Sequence, residues 1–482
     1  MLFMKDGLFK KFLSFSYGNW IGLIIGFVTT MATTRILLPG DFGKASMFTL
    51  ALNIIMIVIM VGTDQSFIRF FYDEKEDRQG GLLYRCLKPP FYMVIFISIL
   101  LVIFRNPLAV FLFGEENPLA IWMLVIGIIA QLGDRYSRLV IRMKQKGGLY
   151  SFLEVLLKVL TFATLIGFYL MLGARYDIII FSTVLSLFIV FFSAVYIERR
   201  FWSPKSLRVK DGSHNLKEIV HFGMPFMVTG LITWLFESFD KIAISQWSTL
   251  EELGLYSAAF KIVALVHVFQ ITFQNFWTPV CYEHYQKKPE DREFYGRMMH
   301  AISMGMFTVA IASIAGKDVI IAFLGKNYAE AANIMPFLVF MPVLHTISET
   351  TVMGINFMKK PKWHIAIAAI ACLANIGGNA LLVPTYGAKG AAFATAVAYV
   401  VFFTLRTVIS KRYYQVKYSL TQFYIVLLAI FAYAGFSIIT ESFWQNILGG
   451  VVALFFMLVV YKKETAQGYA YVRSMNLFRK KK

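Results

Sequence analysis

Gln131, Arg135, Arg138 and Arg142 follow one another at spacings of four, three and four. A helix turns once in about 3.6 residues, so this spacing stacks all four on one face, with guanidinium groups as rungs of a ladder. Guanidinium forks suit phosphate oxygens, which makes the ladder a candidate first contact for an anionic head group. Its plainer use is to anchor a helix end among anionic lipids. Lys158 and Lys261 stand inside apolar stretches, the former with Glu154 one turn before it. An ionised group at the centre of a membrane helix costs about 2.5–3.5 kcal/mol, so an idle lysine there is unfavourable. Lys261 escapes that cost by snorkelling to an interface about a turn away, and Lys158 by pairing with Glu154 on the same face. Otherwise both offer positive charge to a bound anion.

Other groups suit gating or packing rather than binding. His345, Glu349 and Asn356 share one helical face, and Asp64 follows Asn53 by eleven residues on another. A hydrogen-bonded helix interface explains Asp64, with ion coupling as the sharper alternative. Gly18, Gly22 and Gly26 form a small-residue stripe continued by Thr30 and Thr33, as close helix packing requires. Gly18, Gly22 and Pro225 are also the places where helices could bend. His267, six positions after Lys261, falls off that lysine's stripe and reads as a core histidine. Cys86, Cys281 and Cys372 lie far apart, offering neither a disulfide framework nor a metal cluster, and no GxxxxGK[ST] phosphate loop occurs. No cofactor is expected.

The elements that position these residues are membrane helices. Hydrophobic residues make up 58% of the 482 and charged residues only 16%, with a mean hydropathy of +0.63, against about 25% charged in soluble chains. Apolar runs of about 20 residues, uniform rather than alternating, read as helices and not as strands of a barrel. Fourteen spans are expected, at 15–37, 45–66, 84–104, 118–139, 150–172, 178–196, 217–237, 255–278, 298–316, 330–354, 363–383, 388–409, 420–440 and 443–461. The first is expected to be retained, since no small-residue cleavage site follows it. Of the 47 Lys and Arg, 36 fall in the termini and even-numbered loops and 8 in the odd-numbered loops. Short cytoplasmic loops keep such an excess, so both termini are expected in the cytoplasm. Topology therefore accounts for most of the +19 formal charge, and no nucleic-acid partner is needed.

A shift of 211 residues lays spans one to six on spans seven to twelve without a gap, bringing Asp41-Phe42-Gly43 onto Glu252-Leu253-Gly254 and Arg138 onto Glu349. The expected fold is all-α: an N-lobe at 1–211, a C-lobe at 212–415, and two accessory spans with a basic cytoplasmic tail at 416–482. Six spans per repeat is an even number, so the pseudo-two-fold axis should run along the membrane normal, with a cleft between the lobes. An Arg138–Glu349 gate across that cleft is one expectation.

The stretches LLPGDFGKAS (37–46), IRMKQKGGLY (141–150), FDKIAISQWSTLEELGLYSAAFK (239–261) and NIGGNALLVPTYGAKGAAFATAVAYV (375–400) resemble polysaccharide flippases of the O-antigen (Wzx) type, within the multidrug/oligosaccharidyl-lipid/polysaccharide exporter superfamily. The resemblance covers essentially the whole chain. It implies outward flipping, by alternating access, of an undecaprenyl-pyrophosphate-linked oligosaccharide in a bacterial inner membrane, with membrane lipids as surroundings and a polysaccharide polymerase and glycosyltransferases as partners. It further implies a cationic cavity for the pyrophosphate, in which the basic residue of span eight falls on Lys261; the 211-shift counterpart is Leu50, so no symmetric pair exists. The nearest rival is a cation-coupled drug antiporter of the same superfamily, which needs carboxylates that span one lacks. A membrane polymerase or glycosyltransferase would need acidic or histidine clusters in sizeable outward loops, and those loops are short. An ATP-driven pump lacks its phosphate loop. On the flippase reading, Lys261→Ala and Lys158→Ala abolish surface glycan at unchanged membrane abundance. Normal glycan in both variants removes the lysines from the binding site.

Overall fold

In the computed structural model, described over residues 6–207 and 214–462, all regular structure is helical. The first compact unit, Met1–Gly254, contains α1 (Asp6–Ile36), α2 (Pro39–Met60), α3 (Thr63–Phe70), α4 (Gln79–Ile103), α5 (Arg105–Phe113), α6 (Pro118–Met143), α7 (Gly147–Leu172), α8 (Asp177–Ile197), α9 (Pro204–Leu207) and α10 (Leu216–Trp247). The second, Leu255–Lys482, holds most of α11 (Leu250–Lys287), then α12 (Arg292–Ala315), α13 (Lys317–Ile321), a 3-10 segment (Lys326–Asn333), α14 (Met335–Leu338), α15 (Phe340–Thr351), α16 (Met353–Phe357), α17 (Lys362–Tyr413), α18 (Leu420–Ile439) and α19 (Phe443–Val460).

Eleven of these helices are long and apolar enough to cross a bilayer, or twelve if the pair bent by 53° between Lys326 and Thr351 counts as one span. Ile439, Met171, Leu170 and Leu381 on these long apolar helices are each more than three-quarters exposed, as side chains that face lipid are. The chain is a multi-pass, all-α membrane protein. The tally falls short of the fourteen expected spans for local reasons. The apolar part of α1 runs only from Trp20 to Ile36. Expected spans eleven and twelve lie on either side of a kink within the 52-residue α17 and are counted there as one, although at about 1.5 Å per residue α17 is more than twice the thickness of a hydrocarbon core. α17 bends at Gly387, whose φ of 54° and ψ of −134° an L-residue rarely adopts.

The packing units divide after Gly254, whereas the sequence repeat divides after residue 211. The difference lies in α10, which packs on α2 and α3. Within the first unit, α1 lies along α7. A Cβ on Gly18 would sit 2.7 Å from Ser151 Cα, and one on Gly22 would sit 3.6 Å from Lys158 Cγ, while Gly26 has nothing within 4 Å. The first two glycines of the stripe thus serve close packing, and the second makes room for a lysine stem.

Candidate functional site

The rungs of the α6 ladder each meet a different partner in the first unit. Gln131 Nε2 donates to Asn53 Oδ1 at 3.3 Å, and Arg135 Nη2 to Asp64 Oδ2 at 2.8 Å. Val61 and Gly62 both take left-handed backbone, with φ of 49° and 69°, ending α2 and starting α3. Asn53 and Asp64 therefore belong to different helices, although adjacent rungs of α6 receive them. Arg138 donates one nitrogen to Glu154 and another to Asp134, one turn before it. Arg142 is exposed at the end of the ladder.

The expected Glu154–Lys158 pair is not made. Glu154 is taken by Arg138, because a planar fork already held by Asp134 reaches the carboxylate with less ordering than a flexible ammonium. Lys158 is left half-buried and, among the described residues, in no ion pair. Lys261 is exposed on α11. Neither lysine is buried within its helical bundle, so each meets lipid or a water-filled space.

The second unit builds its own charged centre around α15. Arg406 Nη1 on α17 donates to Glu349 Oε1 at 2.8 Å and to Ser348 Oγ at 2.5 Å, with both charged residues buried. His345, one turn before Glu349, has Nδ1 at 2.9 Å from Gln270 Nε2 and 3.7 Å from Glu349 Oε1. Its ring stacks on Phe402, over which the Arg406 guanidinium also lies. Trp277 Nε1 donates to the Glu349 carbonyl at 3.1 Å. Asn356 falls in α16, beyond the end of α15, and its Oδ1 meets His364 Nε2 at 2.8 Å.

The expected Arg138–Glu349 pairing is thus replaced by partners inside each unit. Sequence reasoning missed Asp134, because the ladder was counted in cations although 134 lies three residues after 131 on the same face. It also missed Arg406, whose partner is 57 residues away. At a shift of 211, Asp134 and Arg138 fall on His345 and Glu349, which also lie one turn apart, with His345 Nδ1 3.7 Å from Glu349 Oε1. Among the described residues no three His, Cys, Asp or Glu side chains group to hold a metal.

Both ends of α2 make close backbone contacts within the first unit. At one end a Cβ on Gly43 would overlap the Leu250 carbonyl oxygen, and a Cβ on Gly254 would overlap that of Pro39. These four residues are two pairs related by the 211 shift, so the contact is reciprocal. At the other end a Cβ on Gly62 would overlap the Gly223 carbonyl, and one on Gly223 would lie 2.8 Å from Val61 O. Ser66 Oγ donates to the Ile219 carbonyl at 2.7 Å, and Phe70 stacks on His214 beside it.

A family model described as "Polysaccharide biosynthesis protein" matches residues 8–281. No curated protein matches by sequence. Among solved structures, a lipid II flippase MurJ in an inward closed conformation is similar with a TM-score of 0.68 and 15% identity, covering 93% of this chain and 99% of that one. A multidrug resistance MATE family transporter of the MOP superfamily is similar in its inward-facing conformation (TM-score 0.63, 12% identity, covering 82% of this chain and 94% of that one). In an outward-facing conformation such a transporter gives 0.59 and 14%, covering 84% and 95%. At these identities the likeness concerns the fold.

Removing one partner of a buried ion pair strands the other, at a cost of about 3–5 kcal/mol. Arg406→Leu should therefore lower the unfolding midpoint of the purified protein sharply, and Arg406→Leu combined with Glu349→Leu should recover most of the loss. Equal destabilisation in the single and double variants would show that the pair is not the cause.

Proposed function

We propose that this chain, which belongs to the polysaccharide biosynthesis protein family, is a flippase that moves an undecaprenyl-pyrophosphate-linked oligosaccharide from the inner to the outer leaflet of a bacterial plasma membrane. The observation that carries the reading is the disposition of charge. On the faces singled out by the sequence, the carboxylates Asp64, Asp134, Glu154 and Glu349 are all held by arginines. Among the described residues, the cationic groups there that no carboxylate neutralises are Lys158 and Arg142, joined by the exposed ammonium of Lys261. A drug antiporter needs the reverse, carboxylates open to a cationic substrate. The similarity to the flippase over 93% of the chain supports the same reading.

The pyrophosphate is captured at the cytoplasmic entrance by Arg142 and Arg135 and passes Lys158 and Lys261, while Arg138 holds the α6 face in shape. Glu349 and His345, with Asp64 and Glu154, respond to the substrate's charge rather than bind it. An inside-negative potential favours outward movement of negative charge by about 2.3 kcal/mol per charge per 100 mV, so no nucleotide site is required. Both termini lie in the cytoplasm, and the polymerase and glycosyltransferases that use the glycan are the natural partners. No catalytic residue is assigned.

Alternating access needs a seal that opens. The reciprocal Gly43–Leu250 and Gly254–Pro39 contact is the outer seal, bending at Gly18, Gly22 and Pro225 accompanies its release, and the two repeats rock about it. Gly43→Val or Gly254→Val should remove surface glycan at normal abundance, because the added side chain meets backbone; Gly40→Val, with nothing within 4 Å of its Cβ, should be tolerated. In cells lacking the protein, lipid-linked glycan should accumulate where externally added glycosidase cannot reach it. Unchanged leaflet distribution together with raised drug sensitivity would favour the antiporter.

A further inference from the structure

The geometry points to a second anion site, one for the phosphate head group of an anionic membrane phospholipid, in a cavity at the shared end of α12, α17 and α18. The cavity, an open cleft of about 1160 Å³, is lined by Arg292, Arg297, Lys411, Arg412 and Lys417, with Glu293 beside them. Arg297 pairs with Glu293 at 3.3 Å and Arg292 approaches Glu290 at 3.6 Å. Among the described residues Lys411, Arg412 and Lys417 form no ion pair. The positive-inside bias explains basic residues in each loop separately. All five cations are exposed, and because they come from two segments more than a hundred residues apart, an anion placed in the cavity meets several of them at once.

The level of the cavity selects the ligand. α12 begins, α17 ends and α18 begins there, so it lies where helices leave the hydrocarbon. Aromatic residues gather at the same end: Trp363 Nε1 donates to Tyr413 Oη at 2.8 Å, and Tyr414 Oη to the Pro289 carbonyl at 2.7 Å. Such belts sit at the head-group level of a bilayer, which is where lipid phosphates lie. The volume exceeds the roughly 300–1,000 Å³ of a small-molecule site and has room for a phosphodiester with its glycerol. α18, whose Leu420 lines the cavity, exposes Ile425 and Leu428 further along, a surface for an acyl chain. Guanidinium and ammonium groups supply the phosphate donors. This site rests on the membrane assignment and on no particular transported substrate.

The test is the thermal unfolding midpoint of the purified full chain in phosphatidylcholine nanodiscs containing increasing phosphatidylglycerol. Phosphatidylglycerol should raise the midpoint. Arg297→Gln, Lys411→Gln and Lys417→Gln, singly and together, should raise the half-saturating content by roughly fivefold per cation removed. Lys359→Gln with Lys360→Gln and Lys362→Gln removes as much charge from another loop of the same unit and should shift it far less than the cavity variants do. The site is overturned if that control shifts the titration equally, if the cavity variants do not shift it, or if inorganic phosphate alone reproduces the stabilisation. It is also overturned if undecaprenyl pyrophosphate at equal mole fraction binds more tightly through the same residues, which would give the cavity to the transported lipid. Transport is not measured, so failure here leaves the flippase reading intact, and failure of that reading leaves this one intact.

Discussion

A charge inside a bilayer must find an opposite charge, a hydrogen-bonding network or water, because hydrocarbon offers it nothing. Each helical unit answers this constraint by itself. In the first, Arg138 gathers Asp134 and Glu154 while Arg135 covers Asp64. In the second, Arg406 binds Glu349 beside His345. These pairs tie α6 to α7 and α15 to α17, and thereby fix which residues on the same helices remain uncompensated. Those residues are cationic. The functional proposal depends on that remainder more than on any single side chain.

Much of this was legible in the sequence. Apolar run length gave the helical class. The small-residue stripe foretold close helix packing, which the structure shows at Gly18 and Gly22 against α7. What escaped depended on three-dimensional competition. Glu154 had a lysine four residues away, but an arginine on the neighbouring helix takes it. Periodicity put Asn53 and Asp64 on one helix, since nothing marks Val61 as a residue that adopts a positive φ. Arg406 was not singled out, because its partners arrive from another helix. The break expected between residues 383 and 388, in the stretch Pro384-Thr385-Tyr386-Gly387, falls where Gly387 bends α17.

The close contacts at the two ends of α2 give the proposed transport cycle a physical form. Glycine lets backbone touch backbone, and such a contact is strong while closed yet has no side chains to disentangle on opening. The reciprocal contact joins residues related by the 211-residue shift. The contact at Gly62 and Gly223 has no such relation, the shifted partners being Phe273 and Phe12. The two ends of one helix thus carry contacts of different construction, as a transporter that opens one end at a time requires.

The central claim is that Lys158 and Lys261 face water in a substrate path and not lipid tails. The most direct measurement is labelling of Lys261→Cys and Lys158→Cys in membranes with a water-soluble, membrane-impermeant thiol reagent; the three native cysteines are buried and give low background. The account predicts labelling at both positions that is slowed by added undecaprenyl pyrophosphate. Labelling only by lipid-soluble reagents, indifferent to that ligand, would contradict it.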